Sequence, residues 1–430
     1  MNRLAAWPAL EAVASAMLSV VSSFVVARLI GPAELGIGAA ALAVHVLLWV
    51  AVNGLFADAL VQRSEIDDRI LSSALWASVA MGCVAFVIQA AAGRGLARAL
   101  NDPRLISMSL VLAVPLPLAA AAGIAQGLLT RERAYRRLAL RTMLGQGLGT
   151  AVGVAAAVAG SGAWAMVSQQ AVTTFCGALT LLIGRGWRPA LCIDPAAVRS
   201  LLRVGGPLTA STLVAIARYR VFAIVIGGCA GAAVLGQVHL AFRLVDTVKE
   251  LTFTALWRLM LPVLSEHQSD RQAMLVQVDR LLRFSAAAVL PACLALAVFL
   301  SHGLGMLMGP GWAAAGRAAL PLVALMAFST LMFPGGVALI AAGRVRFALY
   351  ANLAALALCC AGAQILQPRE PLHAVTIWTA SQVLVSPYCL WANARTLGVG
   401  MLRPLTGGIR LPAAGAAGRR RFGEGIRSSG

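Results

Sequence analysis

Long apolar segments recur along this chain, and short stretches rich in Arg, Gly and Pro separate them. Each apolar segment has roughly the 20 residues that a helix needs to cross ~30 Å of hydrocarbon. The pattern predicts an all-α polytopic membrane protein with about twelve transmembrane helices. The predicted windows lie near residues 9–29, 36–57, 70–92, 105–128, 139–159, 163–184, 207–228, 232–257, 284–302, 318–341, 346–366 and 372–394.

One stretch, residues 207–264, departs from this pattern because charged residues stand inside its apolar segments. A charged residue at the centre of a membrane helix costs ~2.5–3.5 kcal/mol, so such residues usually face a protein interior or a watery cavity. Several of them are spaced by three and four positions, which places them on one stripe of a helix. We interpret the stretch as one wall of a polar cavity. The candidate substrate-binding residues are Arg218, Arg220, His239, Arg243 and Lys249, and the acidic residues beside them are Asp246 and Glu250.

Two other interpretations of the charged segment stay open. It could lie on the membrane surface with its basic face towards lipid headgroups, or its charges could pair with one another without a further role. An internal repeat favours a membrane-spanning helix. Residues 31–41 (GPAELGIGAAA) align without gaps to residues 231–241 (GAAVLGQVHLA), which equates the second predicted span with the eighth.

The loop 185–206 divides the predicted spans into two halves of six helices each, and the repeat relates the two halves. The N-terminal bundle is expected over residues 1–184 and the C-terminal bundle over 207–396. Residues 185–206 are expected to be a cytoplasmic linker with a short amphipathic helix, since Asp194 followed by Pro195 is a favourable helix start. The basic tail, 397–430, is expected to be disordered in the cytoplasm because it holds too little apolar surface to fold.

Composition and charge agree with a membrane protein. The chain has 430 residues, of which 60% are hydrophobic and 12% are charged, and an ordinary soluble protein has about 25% charged residues. A net charge of +19 raises the question of nucleic acid, but the arginines lie in short loops and in the tail. The loops that follow the even-numbered spans carry 17 arginines and the opposite loops carry 6, which predicts that both termini are cytoplasmic and that nucleic acid is not a partner.

Motifs for catalysis are absent from the sequence. There is no Walker A loop, no HExxH motif and no paired-cysteine metal site, and the eight cysteines do not form a disulfide framework. We therefore expect neither an enzyme nor a bound cofactor or metal. Transport remains, and a cavity with more basic than acidic residues suits an anionic substrate, because Arg matches phosphate oxygens in bidentate geometry.

Several motifs resemble bacterial polysaccharide and O-antigen flippases, which belong to the same superfamily as multidrug extruders and the peptidoglycan-precursor flippase. The resemblance covers most of the chain, but some relatives carry a thirteenth and a fourteenth span where this chain has its basic tail. The motifs are ARLIGPAELGIGAAALAV (27–44), NGLFADALVQR (53–63), QGLLTRERAYRRLA (126–139), LGQVHLAFRL (235–244), LPVLSEH (261–267), MGPGWAAAGRAALPL (308–322) and AAGRVRF (341–347).

The resemblance implies two six-helix bundles, related by pseudo-two-fold symmetry around a central cavity. It also implies a transporter that flips undecaprenyl-pyrophosphate-linked oligosaccharide across the bacterial inner membrane by alternating access, for exopolysaccharide or O-antigen synthesis. It implies that Arg218, Arg220 and Arg243 hold the pyrophosphate, and that membrane lipids and polysaccharide polymerase or export proteins are partners. Asp246, Glu250 and Asp58 are the candidates for coupling transport to an ion gradient. The alternatives are a multidrug-type exporter of small molecules and a membrane glycosyltransferase or polymerase.

Overall fold

The computed structural model describes residues 3–63, 66–183, 190–266, 271–341 and 346–397, and these residues form helices without any β-strand. The all-α fold is as predicted. The helices, numbered in chain order, are α1 (Arg3–Gln62), α2 (Asp68–Leu100), α3 (Arg104–Ala113), α4 (Leu116–Arg131), α5 (Tyr135–Val158), α6 (Trp164–Leu182), α7 (Pro195–Ala230), α8 (Ala232–Glu266), α9 (Arg271–Val298), α10 (Leu304–Met308), α11 (Ala313–Ala341), α12 (Arg346–Leu366) and α13 (Pro371–Leu397).

Eight helical segments of the described chain are long and apolar enough to cross a membrane, so the protein is a multi-pass membrane protein. The windows predicted from the sequence fall on helices. However, α5, α8 and α13 are not among the eight segments, and α1 contains two windows, so the count of twelve spans stays a prediction. The eight segments are Ala14–Gln62, Asp68–Leu100, Arg104–Arg131, Trp164–Leu182, Pro195–Ala230, Gln272–Met308, Pro310–Leu339 and Leu349–Leu366.

The two copies of the repeat have the same backbone geometry at their first glycine. Gly31 interrupts α1 with φ 79° and ψ 171°, and Gly231 separates α7 from α8 with φ 85° and ψ 169°. A residue with a side chain rarely adopts such positive φ values, so glycine is required at both places. Each copy therefore ends one helical stretch and starts the next in the same way.

The second glycine of each repeat makes a close backbone contact between α1 and α8. A Cβ atom on Gly36 would overlap the carbonyl oxygen of Ala232, and a Cβ atom on Gly236 would overlap the carbonyl oxygen of Pro32. The contact is reciprocal, because each glycine lies against the turn that precedes the other. Glycine is needed here because the two backbones touch.

The start of α7 is the helix start that the sequence predicts. The Asp194 carboxylate accepts hydrogen bonds from the backbone N–H groups of Ala196 (2.9 Å) and Ala197 (3.4 Å), and Pro195 occupies the first helical position. The helix then continues through Pro207 to Ala230. The predicted short amphipathic helix is thus the first part of one long helix.

The larger of two compact units contains the repeat contact and most of the well-packed core. In this unit α5 and α6 approach closely through glycines, since a Cβ atom on Gly145 would lie 2.9 Å from the carbonyl oxygen of Thr173. The unit consists of Met1–Val248, Ala295–Val323 and Leu349–Val385.

The smaller unit is held by aromatic contacts. The ring of Phe333 packs edge-on against Phe253, with 4.7 Å between the centroids, and also against Trp257 at 6.2 Å. The predicted division into bundles at 1–184 and 207–396, with a linker between them, stays a prediction, and the tail beyond Leu397 lies outside the described residues. The described residues of the unit lie within 249–294, 324–348 and 386–397.

A cluster of charged residues connects three helix starts in the larger unit. The Arg104 guanidinium donates to Glu34 Oε1 at 2.9 Å and to Asp102 Oδ2 at 2.7 Å, and the backbone N–H of Ala163 donates to Glu34 Oε2 at 2.7 Å. The Arg104 guanidinium, through its hydrogen bonds, holds the pKa of the Asp102 carboxyl below its usual value. The cluster fixes the second half of α1 against the first residues of α3 and α6.

Candidate functional site

The larger unit encloses a polar cavity of about 440 Å3 between α1, α5, α6, α7 and α8. Its lining combines arginines, one histidine, and many hydroxyl and amide groups, with apolar residues between them. The lining residues are Ser19, Ser22, Ser23, Val26, Leu35, Leu42, Val46, Trp49, Arg141, Thr142, Gly145, Gln146, Met166, Gln169, Gln170, Thr173, Thr174, Gly177, Arg220, His239, Leu240 and Arg243.

Three arginines line this cavity, and none of its described lining residues carries a carboxylate. Arg220 and Arg243 come from α7 and α8, and Arg141 comes from α5. Glu11 interacts electrostatically with Arg141, and Asp246 interacts with Arg220, both from outside the lining. The cavity surface therefore offers cationic hydrogen-bond donors, which is the arrangement that an anionic oxygen group requires.

An aromatic cluster positions the α7–α8 side of the cavity. Tyr219 packs against Phe242 at 4.7 Å between ring centroids, and Phe242 packs edge-on against Trp378 of α13 at 5.1 Å. The Tyr219 hydroxyl shares a hydrogen bond of 2.8 Å with His239 Nδ1, and the Arg220 guanidinium lies 5.5 Å from the Tyr219 ring centre. Buried aromatic pairs of this kind restrict both helices, so the arginines next to them are held in place.

Arg218 lies elsewhere, although it is only two residues from Arg220. Its Nη1 atom donates to Asn352 Oδ1 at 3.0 Å and to Gln382 Oε1 at 2.8 Å, and its guanidinium lies 5.2 Å from the Trp378 ring centre. Two residues on a helix are separated by about 200°, so the two side chains leave α7 on opposite sides. The structure brings Arg220, His239 and Arg243 together and places Arg218 in a separate hydrogen-bonded cluster with α12 and α13.

The charged stripe of α8 divides after Arg243. Asp246, Lys249 and Glu250 are exposed and do not line the cavity, and the last two belong to the smaller compact unit. Asp58 lines a second, more open cavity of about 440 Å3. That cavity is formed by Ala57, Asp58, Val61, Gln62, Gln126, Gly127, Thr130 and Leu208.

Sequence reasoning missed Arg141. It counts among the loop arginines that indicate topology, but α5 begins at Tyr135, so Arg141 lies almost two turns inside the helix. There its Nη1 atom donates to Gln126 Oε1 of α4 at 2.5 Å. Arg137 and Arg141 are four residues apart, and this helical spacing could have indicated that Arg141 lies on a helix.

Sequence reasoning also missed the uncharged polar side of the cavity. Small polar residues recur at helical spacing on apolar helices, but a search for charges passes over them. On the described chain several are hydrogen-bonded to one another, as when Gln169 Nε2 donates to Ser22 Oγ at 2.8 Å and Arg243 Nε donates to Ser23 Oγ at 3.3 Å. Within the described residues there is also no group of three or more His, Cys, Asp or Glu side chains that could hold a metal ion.

Comparison with known sequences gives a family and two distant relatives. Residues 25–316 match the family described as "Polysaccharide biosynthesis protein". The succinoglycan biosynthesis transport protein ExoT of Rhizobium meliloti (strain 1021) is 22% identical over 76% of this chain, and the lipopolysaccharide biosynthesis protein WzxC of Escherichia coli (strain K12) is 23% identical over 72%. The aligned regions span only 66% and 63% of those two proteins.

Solved structures show the same fold at low sequence identity. An inward-facing multidrug resistance MATE family transporter of the MOP superfamily has a TM-score of 0.71 and 13% identity, over 89% of this chain and 95% of its own. The lipid II flippase MurJ, in its inward closed conformation, also has a TM-score of 0.71, with 12% identity over 93% of this chain and 90% of its own. The chain therefore shares the fold of these transporters.

Proposed function

The chain belongs to the family of polysaccharide biosynthesis proteins, and from this premise we propose that it is a flippase for lipid-linked oligosaccharides. Its substrate is an undecaprenyl-pyrophosphate-linked oligosaccharide repeat unit. The protein moves the polar head of this lipid from the inner to the outer leaflet of the bacterial inner membrane by alternating access. Both termini lie in the cytoplasm, and the product enters exopolysaccharide or O-antigen synthesis.

The observation that carries the proposal is the cavity whose described lining holds three arginines and no carboxylate. A pyrophosphate presents only acceptor oxygens, and Arg presents only donors, in a planar fork that matches two oxygens at once. Arg220 and Arg243 come from adjoining helices, so one pyrophosphate can contact both. A volume of about 440 Å3 lies in the usual range for ligand sites, and it accommodates the pyrophosphate with the first sugars.

The relatives and the fold agree with this proposal. ExoT and WzxC are named for succinoglycan transport and lipopolysaccharide biosynthesis, and MurJ is a lipid II flippase. A polyprenyl tail is apolar and stays in lipid, so only the charged head needs a polar path. Asp58, Asp246 and Glu250 are the carboxylates proposed to couple this movement to an ion gradient, and polysaccharide polymerase or export proteins are the proposed partners.

The test is to delete the gene and to ask in which leaflet the lipid-linked oligosaccharide accumulates. Complete repeat units that face the cytoplasm, and that disappear when the intact gene is restored, are the expected result. Repeat units that reach the outer leaflet without being polymerised would overturn the proposal in favour of a polymerase. Unchanged lipid-linked sugars would overturn it in favour of an exporter of small molecules.

A further inference from the structure

The cavity has two chemically different walls. The first carries Arg220 and Arg243 on α7 and α8. The second, which we call the polar wall, carries uncharged amide and hydroxyl groups on α1, α5 and α6, and the third lining arginine, Arg141, is also on α5. The polar wall consists of Ser19, Ser22, Gln146, Gln169, Gln170 and Thr173.

The polar wall is not needed to hold α5 and α6 together. These helices already touch through backbone atoms, since a Cβ atom on Gly145 would lie 3.1 Å from the backbone nitrogen of Gly177, and one on Gly153 would lie 3.1 Å from the carbonyl oxygen of Ala165. Small residues of this kind suffice to pack membrane helices. Two of the large amides beside them join these helices to α1, since Gln146 Nε2 donates to Ser15 O at 3.3 Å and Gln169 Nε2 donates to Ser22 Oγ at 2.8 Å. In the described structure Gln170 has no such role, so its amide needs another explanation.

Gln170 is the clearest case. Its Nε2 atom donates to Thr174 Oγ1 at 3.2 Å, one turn along the same helix, so its side chain joins no two helices in the described structure. An amide has two N–H donors and one carbonyl acceptor, and this bond occupies one donor. A polar side chain inside a membrane protein is costly unless its remaining groups find partners, and the cavity is where they face.

The two walls differ in their hydrogen-bonding groups, and the two parts of the proposed substrate differ in a matching way. A pyrophosphate only accepts hydrogen bonds, and arginines only donate them. A sugar hydroxyl both donates and accepts, and so do the amides and hydroxyls of the polar wall. One wall therefore matches the charged part of a lipid-linked sugar, and the other matches its uncharged part.

We propose that the polar wall is a sugar subsite that binds the uncharged hydroxyl groups of the sugars next to the pyrophosphate. This inference rests on the proposed function. It means that residues of α1, α5 and α6 make the protein bind a glycosylated lipid pyrophosphate more tightly than a bare one. Gln170 donates to and accepts from sugar hydroxyls, and Thr173 does the same from the next turn. Arg220 and Arg243 bind both lipids without distinguishing them.

The experiment compares the binding of two lipids to the purified full-length protein in detergent. The first is undecaprenyl pyrophosphate, and the second is the undecaprenyl-pyrophosphate-linked oligosaccharide extracted from cells that lack this gene. The wild type is expected to bind the sugar-bearing lipid more tightly. Gln170→Leu should lose about two- to ten-fold in affinity for that lipid, as for one lost hydrogen bond, and should bind undecaprenyl pyrophosphate unchanged.

Two further variants make the result specific. Thr173→Val removes a hydroxyl at almost constant volume and should show the same selective loss, which keeps the test valid if Gln170→Leu does not fold. Thr180→Val is the control, since this hydroxyl lies on α6 outside the cavity and donates to Gly177 O of its own helix. It should change neither affinity.

The remaining outcomes would contradict the sugar subsite, and one of them would also contradict the proposed function. Equal weakening for both lipids, or no weakening, in Gln170→Leu and Thr173→Val would overturn the sugar subsite. Equal affinity of the wild type for the two lipids would overturn the sugar subsite and leave the flippase proposal standing. If the wild type binds neither lipid, the proposed function itself fails, and the subsite fails with it.

Discussion

Helices α1 and α8 take part both in the contact between Gly36 and Gly236 and in the cavity that they line together with α5, α6 and α7, and the two regions have opposite chemistry. At the glycines the two backbones touch, and even one methyl group would overlap a carbonyl oxygen. At the cavity the helices leave about 440 Å3 and face it with polar side chains. The first region tolerates no added volume, and the second depends on the charge and hydrogen bonds of its lining.

The difference separates a structural role from a binding role on the same helices. A substitution at the glycine contact should act on stability, because close packing leaves no room for relaxation. A substitution at the cavity should act mainly on transport, because truncating a side chain that faces open space creates no new void in a packed core. Measuring stability and transport for each variant tests whether the two regions are as distinct as the geometry indicates.

The largest effect is expected for Gly36→Val. The added side chain overlaps backbone atoms of α8, so the helices must separate, at a cost of about 3 kcal/mol, the upper end for overpacked sites. The midpoint of thermal unfolding of the purified protein in detergent should fall clearly. Gly95→Ala is the matched control, because a Cβ atom there meets nothing within 4 Å. An unchanged midpoint in Gly36→Val would mean that the repeat contact is not the close contact described.

The next effect is expected for Arg220→Ala and Arg243→Ala. A lost charge-assisted hydrogen bond to phosphate is worth ~1.5–3 kcal/mol, so each variant should lose about ten- to a hundred-fold in flipping of the lipid-linked oligosaccharide. The unfolding midpoint should fall less than in Arg218→Ala, because both side chains face the cavity and the hydrogen bond from Arg243 to Ser23 Oγ is long, at 3.3 Å. Normal transport by both variants at wild-type abundance would remove these residues from the substrate site.

Arg218→Ala can be compared with Arg220→Ala on the same helix, α7. Removing this guanidinium takes away the donor to Asn352 Oδ1 and Gln382 Oε1, which should lower stability by about 1–2 kcal/mol. We expect a lower unfolding midpoint, with transport reduced only as far as the amount of folded protein falls. A strong loss of transport at an unchanged midpoint would instead support the sequence-based assignment of Arg218 to the substrate.

The sequence predicts the helices better than it predicts which residues meet. Apolar windows locate the helices because the bilayer sets both their length and their composition, and Gly31 and Gly231 reveal the repeat because their backbone angles require glycine. Arg218 and Arg220 look equivalent in the sequence. Protein surrounds α7 on more than one side, so charge alone does not tell which side faces the cavity.

The polar wall was also beyond the reach of sequence reasoning. Gln170 and Thr173 carry no charge, and a membrane helix tolerates such residues for packing as well as for binding. Only the position of α6 beside α5 and α1 shows that they face a cavity. Arg141 was hidden for a different reason, since the beginning of a helix is the least certain part of a prediction from sequence.

The smallest effect is expected from the charged cluster that adjoins the glycine contact. Arg104 lowers the pKa of Asp102, so this carboxylate stabilises the folded protein at pH values above its usual pKa of about 4. The contribution is lost as the pH falls through the lowered pKa. Because the pair is partly exposed to solvent, it is worth less than about 1 kcal/mol.

The measurement is the unfolding midpoint of the wild type and of Asp102→Asn from pH 7 down to pH 2.5. Asp102→Asn should be slightly less stable at pH 7, and the two proteins should converge at the acidic end, where Asp102 is protonated in the wild type. Glu34 also pairs with Arg104 and is present in both proteins, so the difference between them isolates Asp102. Asp68→Asn, an exposed carboxylate at the start of α2, is the control. A difference that stays constant with pH would show that Asp102 acts through its shape and not through its charge.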